Sequence, residues 1–142
     1  MKTVYRYWAA LVLLAILLQI GFAGYGAFFV ANAVDDGVVN QDKFDDGFGL
    51  HVGFGYLVVL LSLILLLIAL AANVGKWRVG ASGILVPLLI LQVVLAWIGE
   101  AVPAIGFFHP VNALVVLGVS AWIVKTSWHA DRAAPPVGAP SV

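Results

Sequence analysis

The chain has 142 residues, 63% hydrophobic and 10% charged, with a formal net charge of zero and a mean hydropathy of +1.09. That balance excludes an ordinary soluble domain, whose surface needs far more charge, and leaves no electrostatic reason to expect nucleic acid as a partner. The absence of cysteine excludes disulfides, thiolate zinc sites, iron–sulfur clusters and covalently attached c-type haem, so a cofactor has to be held by histidine, carboxylate or packing.

Four apolar stretches, each near the 20 or so residues that a bilayer span requires, run over 8–31, 49–72, 81–102 and 109–128. They predict an all-α, integral membrane bundle of four helices, up-down-up-down, in a single domain over 1–132. Residues 133–142, rich in Pro and Ala, read as a disordered cytoplasmic tail. The first apolar run is longer than the 7–15 residues or so of a signal-peptide core, so it is expected to stay as a span.

Charge orients the spans. The loop after the first carries Asp35, Asp36, Asp42, Asp45 and Asp46 with Lys43 as its one base, whereas Lys2, Arg6, Lys76, Arg78, Lys125 and Arg132 all fall at the opposite end. By the positive-inside rule both termini are expected in the cytoplasm, in a bacterial plasma membrane. Tyr5, Tyr7, Trp8, Trp77 and Trp128 would anchor the inner interface, and Phe44, Phe48, Phe107 and Phe108 the outer one.

Small and polar residues gather toward the acidic end. The first span places Gly21, Gly24 and Gly26 there, the second opens on Gly49, His51, Gly53 and Gly55, and the third closes on Gln92, Ala96, Gly99 and Glu100. Such residues let a backbone approach a neighbouring helix or a flat ligand closely. In the fourth span Gly118, Ser120 and Ala121 lie toward the basic end and are expected to serve helix packing.

His51 and His109 open the second and fourth spans, which run in the same direction, so the two imidazoles share one depth. A porphyrin between these helices could take one axial ligand from each; two interfacial histidines at helix N-termini are the alternative. His129, at the basic edge, reads as solvated. Leu18, Gln19, Ala23 and Gly26 match Leu91, Gln92, Ala96 and Gly99 at identical spacing, each set followed by a helix that begins with histidine. The chain therefore reads as two related hairpins. A glutamine within a span is costly unless paired, so Gln19 and Gln92 are expected to bond each other, a backbone carbonyl or a cofactor edge. Glu100 lies close in depth to both histidines. It could complete a two-histidine, one-carboxylate metal site or a proton path, or simply face the outer water or Lys43.

Residues 88–117, LLILQVVLAWIGEAVPAIGFFHPVNALVVL, resemble the third and fourth helices of one half of haem A synthase, through Gln92, Leu95, Ala96, His109 and Ala113. The chain also resembles small bacterial four-helix membrane proteins of unknown function. The synthase resemblance implies a four-helix half with His51 and His109 as haem ligands. Phe48 and Val52 stand where that family has glutamate and arginine, so its hydroxylation chemistry is not implied, and no catalytic residue is assigned. The expectation is one b-type haem with bis-histidine ligation, serving electron transfer or haem handling. Gly21, Gly24, Gly26, Gly53, Gly55, Gln19 and Gln92 would surround it. The competing expectation is a non-haem membrane protein, either a structural subunit of a larger complex or a conductor of protons or metal ions through Glu100 and the histidines. Expected partners are the lipid bilayer and a second copy of the chain or a larger membrane complex.

Overall fold

The computed structural model describes residues 1–35, 37 and 40–129; Asp36, Arg132 and the expected tail at 133–142 lie outside them. The helices are α1 (Lys2–Asp35), α2 (Gln41–Ala71), α3 (Lys76–Ala101), the single turn α4 (Pro103–Gly106) and α5 (Phe108–His129). Among the described residues four stretches are long and apolar enough to cross a membrane, with α4 and α5 forming the last. The protein is thus an all-α four-helix bundle with the architecture of a multi-pass membrane protein. The helices extend past the apolar runs because helical hydrogen bonding continues into polar sequence. At the start of α2, Asn40 caps the helix by accepting a hydrogen bond from the Lys43 backbone at 3.0 Å.

Buried positions follow a narrow seam with steps of three and four residues, as packed helices require. On α1 the seam is Tyr5, Ala9, Val12 and Ile16; on α2 it is Val58, Ser62, Leu65 and Ala69. Ser82, Leu85 and Leu89 continue it on α3, with Val116, Ser120 and Ile123 on α5. Serine suits these positions because its hydroxyl can be satisfied locally. Ser62 Oγ donates to Val58 O at 3.0 Å and Ser127 Oγ to Ile123 O at 2.6 Å. The remaining faces stay apolar and exposed, Leu67 at 63% and Leu114 at 69% among them, as lipid contact demands.

Packing runs in the cyclic order α1, α2, α3, α5, so α1 and α3, and likewise α2 and α5, are diagonal partners. The α2–α3 turn is sharp, with Asn73 at φ 46° and Gly75 at φ 96°, a conformation that glycine adopts without steric cost. At the basic end Tyr5 and Ser82 share a buried hydroxyl bond of 3.0 Å, and Arg78 Nη2 donates to Thr126 O on α5 at 3.1 Å. Tyr5 is 1% exposed and so belongs to the core. It is not the interfacial anchor expected of it, because its seam position turns it inward. Tyr7 and Trp77 remain outside, at 60% and 86% exposed. Of the three small residues on α5, only Ser120 packs; Ala121 is exposed, and a Cβ on Gly118 would meet nothing within 4 Å.

Candidate cofactor cavity

Gln19 of α1 and His51 of α2 are joined by reciprocal bonds: Gln19 Nε2 donates to His51 O at 2.7 Å and His51 Nδ1 to Gln19 O at 3.1 Å. In the second hairpin Gln92 Nε2 donates to His109 O at 2.8 Å, and His109 Nδ1 to Gln92 O at 2.9 Å. The repeat read from the sequence is therefore a repeat of hydrogen bonding. Each glutamine meets a backbone carbonyl, and each histidine is held at both its ring and its main chain.

These bonds decide the chemistry of the rings. A carbonyl oxygen only accepts, so each Nδ1 carries a proton and each neutral ring keeps its lone pair on Nε2; the His51 Nε2 has the Gln19 amide nitrogen 3.5 Å away. A backbone carbonyl on the other ring nitrogen is also what commonly orients a metal-ligating histidine. Across the bundle diagonal the two ring centroids are 6.1 Å apart, with the planes inclined by 65°. Two imidazoles on opposite sides of one metal ion, at metal–nitrogen distances of about 2 Å, would hold their centroids about 6 Å apart.

The four residues line one cavity with Gly55, Ala96, Glu100 and Ala113. Its volume is about 150 Å³, and its mouth is open. Cofactor pockets usually span roughly 300–1,000 Å³, so a flat cofactor fits only if it also fills the mouth. Val52 and Tyr56 of α2 and Trp97 of α3 carry the exposed rim, together with Glu100. Glu100 thus shares the cavity from its edge. Among the described residues no group of three or more His, Cys, Asp or Glu side chains could hold a metal ion, so Glu100 does not complete a two-histidine, one-carboxylate site with His51 and His109. Lys43 instead lies over the Phe29 ring, 5.8 Å from its centroid.

The glycines divide. Gly55 faces the cavity: a Cβ there would lie 3.0 Å from Gln19 Nε2, so its bareness lets the amide reach the His51 carbonyl one turn earlier. Gly26 is a packing residue, because a Cβ there would stand 2.8 Å from Phe48 Cδ1 and 2.9 Å from Gly47 O. Gly99 plays the matching part in the second hairpin, where a Cβ would stand 2.7 Å from Gly106 Cα. Gly21, Gly24 and Gly53 are outside the cavity lining, and a Cβ on any of them would meet nothing within 4 Å.

Asn112 is the residue that sequence reasoning missed. Its Nδ2 donates to Gln92 Oε1 at 2.7 Å and to Leu88 O at 2.9 Å. A buried asparagine in an apolar span, three residues after His109, was signal enough to flag it. In the first hairpin Phe54 stands at that register, and Gln19 Oε1 is buried with no hydrogen-bond partner.

A family described as "Family of unknown function (DUF6220)" matches residues 39–101. The match takes in α2 and α3, and so His51 and Gln92, but not Gln19 or His109. No curated protein matches the chain, and no solved structure does.

Proposed function

We propose that the protein is a membrane b-type haem protein with His51 and His109 as the two axial ligands, acting in one-electron transfer or haem handling. The observation that carries this reading is a pair of imidazoles, each with Nδ1 tied to a backbone carbonyl, in a cavity that offers no third ligand set among the described residues. Two nitrogen donors are too few for a zinc site, which takes three or four protein ligands. They are enough for iron that arrives with four equatorial nitrogens of its own. The donor set therefore fits haem, and the buried, unpaired Gln19 Oε1 fits a cavity built for an occupant.

When bound, the group would supply reversible one-electron chemistry at its iron. The chain's residues hold and insulate it. The main-chain carbonyls of Gln19 and Gln92 fix the rotation of the two rings. The basic end of the bundle faces the cytoplasm in this reading, with both termini there and the cavity in the outer half of the membrane.

Elemental analysis of protein purified in detergent tests the reading. One iron per chain, extractable as haem, is expected. Zinc in its place, with no haem absorbance, would support the metal- or proton-conducting alternative, in which Glu100 at the cavity rim takes the leading part.

A further inference from the structure

A second opening, separate from the histidine cavity, lies between α3 and α5 toward the basic end of the bundle. Its volume is about 430 Å³, and it is lined by Trp77, Gly80, Ala81 and Ile84 of α3 and by Gly118 and Trp122 of α5. The α3 set recurs at steps of three and four residues, which is the spacing of a single helix face. A Cβ on Gly80 or Gly118 would meet nothing within 4 Å, so these glycines hold a groove open and pack no neighbour. Both tryptophans are exposed. From Trp77 to Ile84 the groove runs about 10 Å, or about two thirds of the hydrocarbon depth of one leaflet.

Charge decides what covers it. Lys76 stands one turn before Gly80 and Lys125 three residues after Trp122, so both belong to the helix faces that line the groove, and both are exposed. Beside them Arg78 donates from Nη1 to Val74 O at 2.7 Å and from Nη2 to Thr126 O at 3.1 Å, while its buried Nε has no hydrogen-bond partner. Those acceptors are neutral carbonyls, so the guanidinium meets no counter-charge there. The described carboxylates, Asp35, Asp42, Asp45, Asp46 and Glu100, all lie at the other end of the bundle; Asp131 is outside the described residues.

We propose that the groove seats an acyl chain of an anionic phospholipid whose phosphate is held by Lys76 and Lys125 beside Arg78. A basic cleft between spanning helices suits an anionic head group, and lysine stems reach from a helix to the head-group level. A second copy docked here in the same orientation would set like charges against each other, and a zwitterionic lipid would bring a cation of its own. The inference is independent of the haem reading.

Native mass spectrometry of the delipidated full chain in detergent, titrated with dioleoyl phosphatidylglycerol and separately with dioleoyl phosphatidylcholine, tests this. The wild type is expected to bind phosphatidylglycerol at least about tenfold more tightly, as two lysines at a membrane surface allow. Lys76→Gln/Lys125→Gln should cut that preference to about twofold or less. Gly118→Leu and Gly80→Leu each fill the groove without touching a base, and should weaken both lipids at least about fivefold by displacing a few buried methylenes. Glycerol phosphate, a head group without chains, should give no adduct at the same concentrations. Equal affinity for the two lipids overturns the proposal, as does a preference that survives in the double lysine variant. Phosphatidylglycerol binding unchanged in both leucine variants, or matched by glycerol phosphate, also overturns it. So does a stable dimer of the delipidated wild type that Gly118→Leu converts to monomer, which would assign the groove to a second copy.

Discussion

His51 and His109 meet across the bundle with ring centroids 6.1 Å apart, although their helices are diagonal partners. The contact is made by side chains alone, and each ring is held by a backbone carbonyl of the adjacent helix, Gln19 O of α1 for His51 and Gln92 O of α3 for His109. Two Gln–His pairs therefore stand at the centre of the acidic half.

Unequal costs are predicted for the two glutamines. Gln92→Leu removes the donor to His109 O and the acceptor of Asn112, and should cost about 1–2 kcal/mol. Gln19→Leu loses the bond to His51 O but also removes a buried unpaired oxygen, and should cost less than about 1 kcal/mol. Unfolding curves in mixed detergent micelles would rank them.

The glycines should separate in the same assay. Gly26→Ala and Gly99→Ala place a Cβ within 2.9 Å of neighbouring backbone and should each destabilise by about 1–3 kcal/mol through overpacking. Gly21→Ala and Gly24→Ala meet open space and should be neutral, or more stable by up to about 1 kcal/mol from helix propensity.

At the basic end, the Tyr5–Ser82 bond ties α1 to α3, which are otherwise diagonal. A double-mutant cycle with Tyr5→Phe and Ser82→Ala should return a coupling of about 0.6 kcal/mol, typical of polar pairs in membrane bundles.

Orientation is accessible because the chain has no cysteine. Gln41→Cys should react with a membrane-impermeant maleimide on intact cells, and Lys76→Cys only after lysis. The reverse pattern would invert the topology.

The four spans were legible because hydropathy over about 20 residues is a strong signal. Helix ends were not, since Lys2–Val4 and Gln41–Gly47 are helical without being apolar. The Gln–His pairs were half legible. Matched glutamines followed by histidine-led helices marked the right residues, but their partners are main-chain carbonyls, which leave no trace in side-chain identity. The depth of a glycine could be read and its direction could not. Depth alone therefore groups Gly21, Gly24 and Gly53 with Gly55, the one of these four that lines the cavity. The aromatic character of Tyr5 points to the interface, whereas its spacing to Ala9, Val12 and Ile16 places it on the buried seam.

The most direct test of the central claim is the absorption spectrum, oxidised and reduced, of the full chain purified from cells supplied with a haem precursor, alongside the His51→Ala/His109→Ala double variant. One six-coordinate haem per chain in the wild type and none in the double variant is the predicted result. A colourless wild type, or haem retained without both histidines, would contradict it.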